Sequence, residues 1–354
     1  MSEIYKALFV LARLGIGHSS EKFSNDIDWN ALQALAERQG LSGVIVDGVE
    51  KLPLEQRPPK PVLLQWIGEV LQGYEYRYEL YRRAIAEMAA FYNQHGYKMM
   101  VLKGYACGLD WPKPEHRPYG DIDIWQFGKW READSLVEKE KGISIERDHH
   151  HHTVFTWRDF LVENHYDILN VYQHRSNVEL EVIIKQLAAE DRYFTDLYGE
   201  RVYLPSPNLH VLFLLRHSMI HFASTDINLR QLLDWAFFVK AHGKEVNWGW
   251  LLPLLEEYGM LRMFNIFNAI CVEELGFDAS IFPMMQFEPS IKERVLNDIL
   301  MPEFSENEPE GTIRRLFFIF RRWKANIWKH KLCFSDSLWS AFWAGLWGHV
   351  AKPN

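Results

Sequence analysis

Two acids stand two apart inside an apolar run: Asp121 and Asp123 in GDIDIW, with Ile122 and Ile124 between and after them. In a β-strand, residues i and i+2 share a face, with Cα atoms roughly 6.5–7 Å apart. The two isoleucines therefore face a core and the two carboxylates aim together at one site. An unpaired charge beside a core is very costly, so the pair needs a compensating cation, and a divalent metal is the natural candidate. The D-x-D spacing alone is weak evidence, because surface strands also carry it. Its upstream context, KMMVLKGYACGLDWPKPEHRPYGDIDIW over 98–125, adds more. A strand over Tyr97–Leu102 ends in Lys103-Gly104, and Gly104 opens a helix. Glycine lets a phosphate approach the backbone, and a helix N-terminus favours negative charge. Lys103 adds a point charge. Arg117 and Gly120 precede the acids, and Arg117 has the fork to clamp a phosphate. In the competing reading Gly104 is only a turn residue, and Lys103 and Arg117 pair with Asp121 and Asp123.

The rest of the chain surrounds this segment with helices. Periodicity predicts helices over 3–14 and 28–40, the second capped by Asp28, then one or two long helices from Val62 to about Gln94 after the prolines at 53–61. A helix over 129–140 follows the acids. Residues 151–158 and 161–169 read as an antiparallel hairpin around Asp159. Residues 177–184 read as a strand or a helix start. Beyond Pro207 the pattern is helical: 208–222, 227–242, 247–275 and 312–348. The fold class is α+β, with an N-terminal helical region (1–74), an α/β core (75–207) and a C-terminal helical region (208–354).

Composition removes several function classes. A net charge of −8 argues against broad nucleic-acid binding. Three widely spaced cysteines without C-x-x-C suggest neither a zinc cluster nor a disulfide framework, which fits a reducing, cytoplasmic setting. The N-terminal apolar stretch lacks a basic n-region and reads as an amphipathic helix rather than a signal peptide. No uncharged apolar run of about 18 residues predicts a membrane span.

V-L-K-G followed by R-x-x-G-D-I-D-I resembles the uncharacterised nucleotidyltransferase family of the DNA polymerase β-like superfamily. Downstream, HVLFLLRHSMIHF and INLRQLLDWAFFV resemble that subfamily's histidine-bearing helix and L-R-x-L-L-D helix, so the likeness runs over about 75–240. It implies a polymerase β-like core, a small mixed sheet with helices, over 75–207. The superfamily has Gly-Ser opening the helix; Lys103-Gly104 stands there instead, a departure usual in this subfamily. It also implies a third acid on a later strand. Glu163 in LVENHYDIL fits best, with Glu179 and Glu181 as runners-up. The implied activity is transfer of a nucleoside monophosphate from an NTP to an acceptor, with pyrophosphate release. Asp121, Asp123 and Glu163 would hold Mg²⁺ or Mn²⁺ and carry catalysis, while Lys103, Gly104, Arg117 and Gly120 would hold the nucleotide. The acceptor would be a small molecule, a sugar or a protein. The alternative is a catalytically inactive fold of the same type, serving as a nucleotide-binding or scaffold module.

Four features stand outside that scheme. His149–His152 alternate on a strand and cannot all ligate one ion, so they read as a place for adventitious metal rather than a zinc site. His217 and His221, at i and i+4, share a helix face and read as packing or hydrogen-bonding residues that border the cleft. Arg230 and Asp234 read as a helix ion pair. Residues 313–331, with seven Lys or Arg and no acid, read as a helix that packs its aromatics and keeps its basic groups wet. A weak membrane or protein contact through this region and the apolar tail is the other reading.

Overall fold

The computed structural model describes residues 2–19, 27–172, 174–306 and 309–337. The apolar tail, and the part of the helical stretch expected over 312–348 that lies beyond residue 337, fall outside these residues. The chain opens with α1 (Glu3–Gly15), α2 (Trp29–Arg38), α3 (Ser42–Lys51) and α4 (Lys60–Val70). Asp28 caps α2 by accepting the Asn30 and Ala31 N–H groups. Helices α1 and α3 cross closely: a Cβ on Gly48 would lie 2.1 Å from the Leu11 carbonyl oxygen. A π-helical segment, Leu71–Tyr76, joins α4 to α5 (Arg77–Gln94), so the expected long helical stretch is interrupted but continuous.

The α+β core follows: β1 (Met100–Val101), α6 (Tyr105–Gly108), β2 (Ile122–Trp125), α7 (Trp130–Lys141), β3 (His152–Trp157), β4 (Phe160–His165), α8 (Arg175–Ala188), β5 (Phe194–Leu197) and β6 (Glu200–Tyr203). The strands form one mixed sheet in the order β3-β4-β2-β1-β6-β5. β2 runs antiparallel to β1 and parallel to β4, which pairs Asp123 with Glu163. Strand alternation then sorts the residues. Ile122, Ile124 and Val162 pack with α5 and α7; Asp123, Glu163 and His165 face the other way, toward the helical regions.

Those regions share one core across that face. The C-terminal helices are α9 (Pro207–Ser224), α10 (Leu229–His242), α11 (Trp248–Glu257), α12 (Leu261–Glu273), α13 (Pro289–Leu300), α14 (Thr312–Ala325) and α15 (Ile327–Cys333). Apolar residues of α9–α13 and α15 join those of α1–α4 in a single cluster. Arg13 donates to the Glu273 and Glu274 carbonyls, tying α1 to the end of α12. Among the described residues no helix is long and apolar enough to cross a membrane. In 313–331 the expectation holds only partly: Phe318 is buried, but Phe317 and Phe320 are exposed, and Lys329 is buried against Asp298 at 2.5 Å.

Two local expectations change. The hairpin β5–β6 was not foreseen, because its strands are largely polar at the sheet edge and carry no clean apolar alternation. Residues 177–184 belong to helix α8, which removes both runner-up acids from the strand layer. Glu179 is exposed. Glu181 accepts the Ile168 and Leu169 N–H groups, each at 2.8 Å, far from a catalytic role.

Burial pushes the Glu181 carboxyl up to about 7, against the lowering effect of those two N–H groups. The unfolded chain keeps the ordinary value of 4.5. Between these values the folded state holds more protons than the unfolded one, so this residue's contribution to stability falls as pH rises from about 4.5 through 7. The wild type is expected to lose up to about 3 kcal/mol relative to Glu181→Gln across that window. Urea unfolding of both proteins at pH 5 and pH 8 checks it; equal slopes would contradict the assignment.

Candidate active site

Asp123 sits at the middle of β2 and is 1% exposed. Its Oδ1 is 2.9 Å from Lys103 Nζ and 3.2 Å from His165 Nε2. Its Oδ2 is buried without a hydrogen-bond partner. Glu163, its neighbour across the paired strands, lies with Oε2 3.6 Å from His165 Nε2 and Oε1 3.8 Å from His152 Nε2. One ligand atom each from Asp123, Glu163 and His165 falls within 4.8 Å of the others. Asp121 is half-buried just before β2 and opens on the same cleft.

The charges interlock. Burial works to raise the Asp123 carboxyl, but Lys103 and His165 overcome it and hold it far below the usual carboxylate range. Burial likewise opposes ionisation of Glu163, and the His165 hydrogen bond leads the forces that pull it down. Burial alone would neutralise His165; Asp123 and Glu163 instead raise it to about 9. Lys103 is raised as well: burial opposes its charge, but Asp123, Asp121 and Glu163 together outweigh it. Asp121 moves the other way: burial first and the Asp123 charge second push it up. A third carboxylate that resists ionisation beside two ionised ones marks a site short of positive charge.

Gly104 has φ +59°, and a Cβ there would meet the Tyr81 hydroxyl at 2.4 Å. That buried hydroxyl donates to the Asp121 carbonyl at 2.9 Å. The missing side chain therefore makes room for Tyr81, which pins the backbone of the first acid. Helix α6 behind it is a single turn, so the expected anion site is less than a full helix terminus. Gly104→Ala is expected to cost about 1–3 kcal/mol from backbone strain, with the displaced Tyr81 adding to it. Adding Tyr81→Phe should recover the clash but not the strain. Thermal melts of the single and double variants test this; an unchanged melting temperature for Gly104→Ala would refute it.

Arg117 does not pair with Asp121 or Asp123. Its Nε and Nη2 donate to Asp234 at 2.7 and 2.9 Å, and Nη1 donates to the Pro118 carbonyl at 3.0 Å. Both partners are buried, and Trp111 Nε1 also donates to Asp234 at 2.8 Å. Three of its five N–H groups are used in this way, so Arg117 lines the cleft with its fork turned to Asp234 rather than to the acids. The helix pair expected for Arg230 and Asp234 is present at 3.3 Å, but Arg117 is the stronger partner. The arginine of R-x-x-G-D-I-D and the aspartate of L-R-x-L-L-D thus form one ion pair. Arg230, a quarter exposed, lines the cleft and is its more accessible guanidinium.

The cleft lies between the acid-bearing sheet face and helices α9 and α10. A cavity of about 400 Å³ is bordered by Lys103, Gly104, Gly120, Asp121, Asp123 and Arg230. A second, of about 440 Å³, adjoins it through Lys103, Asp121 and His217 and is lined further by His221. Gly120 has no atom within 4 Å of a Cβ position and is exposed at this rim. His217 Nε2 is 3.5 Å from Lys103 Nζ, and burial lowers both histidines, so the i, i+4 pair borders the cleft as neutral groups. His165 was missed as a site residue. It follows Glu163 by two, and the alternation that pairs Asp121 with Asp123 applies to it equally.

A family model described as "Uncharacterised nucleotidyltransferase" matches residues 25–276, and the chain belongs to that family. No curated protein and no solved structure matches it.

Proposed function

We propose that this member of the uncharacterised nucleotidyltransferase family moves a nucleoside monophosphate group from an NTP to an acceptor hydroxyl with release of pyrophosphate. The carrying observation is the buried Asp123 carboxylate, with one oxygen lacking a partner, beside Glu163 and opening with Asp121 on the cleft. Hard oxygen donors around an unpartnered carboxylate oxygen suit Mg²⁺ or Mn²⁺. Asp121, Asp123 and Glu163 would hold the ion. Bound there, it would neutralise charge developing on the transferring phosphoryl group.

The chain's own groups have separate tasks. Lys103 and His165 keep Asp123 ionised, and His165 does the same for Glu163. An ionised Glu163 is able to accept the acceptor's proton. Arg230 presents positive charge to the polyphosphate side of the cleft, next to the exposed backbone at Gly120. Arg117 acts through Asp234, fixing the segment before β2 to α10 so that the acids and Arg230 face one another. The acceptor would be a small molecule, a sugar or a protein side chain.

The test is a screen of the four NTPs with Mg²⁺ or Mn²⁺, reading pyrophosphate release and label transfer against Asp121→Asn. Release by the wild type and its loss in the variant are expected. Metal-dependent NTP binding without any release would support the binding-module reading instead.

A further inference from the structure

The acid cluster has a second wall made of imidazoles. On an extended strand, adjacent residues point to opposite faces, so His151 and His152 should diverge. The chain instead bends through residues 149–151, and β3 begins only at His152. The bend undoes the alternation expected of His149–His152. His152 Nδ1 lies 3.1 Å from His151 Nε2. His165 on the neighbouring strand closes the group: one ring nitrogen from each of His151, His152 and His165 falls within 4.8 Å of the others.

The surroundings favour a ligand at this point. Two nitrogens bound tetrahedrally to one zinc at about 2.0–2.1 Å stand roughly 3.3 Å apart, close to the His151–His152 separation. His165 Nδ1 is 3.1 Å from the Asp167 carbonyl oxygen, which orients the ring as carbonyls orient metal-bound histidines. Burial keeps His151 and His152 neutral, with values lowered to about 2 and about 4, so their lone pairs are available.

We propose that His151, His152 and His165 form a binding site for a borderline first-row divalent cation such as Zn²⁺, adjoining the Asp123 and Glu163 carboxylates and sharing the His165 ring with them, so that binding displaces the His165 proton. Imidazoles select Zn²⁺ and Co²⁺ over Mg²⁺, so the two neighbouring sites differ in the ion they prefer. The site does not depend on whether an NTP is the substrate.

Calorimetry with ZnCl₂ on the untagged full-length chain tests the proposal, with Co²⁺ absorption as a second readout. One Zn²⁺ per chain is expected, weakened about 100-fold or more by His151→Ala or His152→Ala. His151→Phe and His152→Phe, which keep a ring in place, should lose it too, and circular dichroism checks their fold. Tetrahedral Co²⁺ bands should vanish in the same variants. The double variant His149→Ala, His150→Ala and the variant Asp121→Asn should bind as the wild type does. No stoichiometric Zn²⁺ on the wild type would overturn the proposal. So would binding lost in the His149, His150 double variant, which would place the ion on the outer histidines. Binding lost in Asp121→Asn but kept without His151 and His152 would place it among the carboxylates. Failure of the nucleotidyltransferase reading would appear as absent pyrophosphate release with Zn²⁺ binding intact.

Discussion

Asp234→Ala is expected to remove about 3–5 kcal/mol of stability, the largest loss of any single exchange around the cleft. The reason is what stays behind. Arg117 is 2% exposed and places two of its N–H groups on Asp234; Trp111 and Arg230 use the same carboxylate. Removing the acid leaves a buried guanidinium without its counter-charge and a buried indole N–H without its acceptor, each with a desolvation penalty. The double exchange Arg117→Met, Asp234→Leu removes both charges and should recover most of the loss, because the attraction in a buried pair largely offsets the cost of desolvating it. Urea unfolding of the three proteins measures this. A loss below about 1 kcal/mol for Asp234→Ala would mean the pair is not what holds α10 to the segment before β2.

Asp123→Asn is expected to lower pyrophosphate release by at least about 10²–10³-fold, the scale seen when one preorganised electrostatic group is deleted at a reacting centre. The exchange keeps the shape of the side chain and removes its charge. It also leaves Lys103 at 2.9 Å and His165 at 3.2 Å without their common anion. Burial then acts on His165 with only Glu163 opposing it, so its value should fall from about 9. An NMR titration of the imidazoles reads that shift even if no turnover is found. Turnover within a few-fold of wild type would remove Asp123 from the reaction; an unmoved His165 would remove the electrostatic account of the site.

Much of the candidate site was legible because it rests on local periodicity. The D-x-D spacing on a strand placed Ile122 and Ile124 inward and Asp123 opposite them, and the hairpin around Asp159 carried Glu163 to the neighbouring strand. The family likeness selected Glu163 over Glu179 and Glu181, and the helix α8 agrees with that choice. The same period of two applied to His165, whose distance from Glu163 in sequence equals that between the two aspartates. The polar hairpin β5–β6 carried no comparable signal, since an edge strand needs little apolar surface.

The amino-acid sequence by itself determined the α+β class, the family and the strand positions of the acids, because each follows from short-range spacing and composition. Only the tertiary structure decided the partners. Arg117 chose Asp234, 117 residues away, over the nearby acids because the buried Asp234 carboxylate accepts its fork in two hydrogen bonds. Lys103 went to Asp123, and Gly104 made room for Tyr81. A bend before β3 brought His151 and His152 together opposite His165. Ion pairs and clusters of this kind depend on which groups a fold removes from water together, and spacing along the chain does not carry that information.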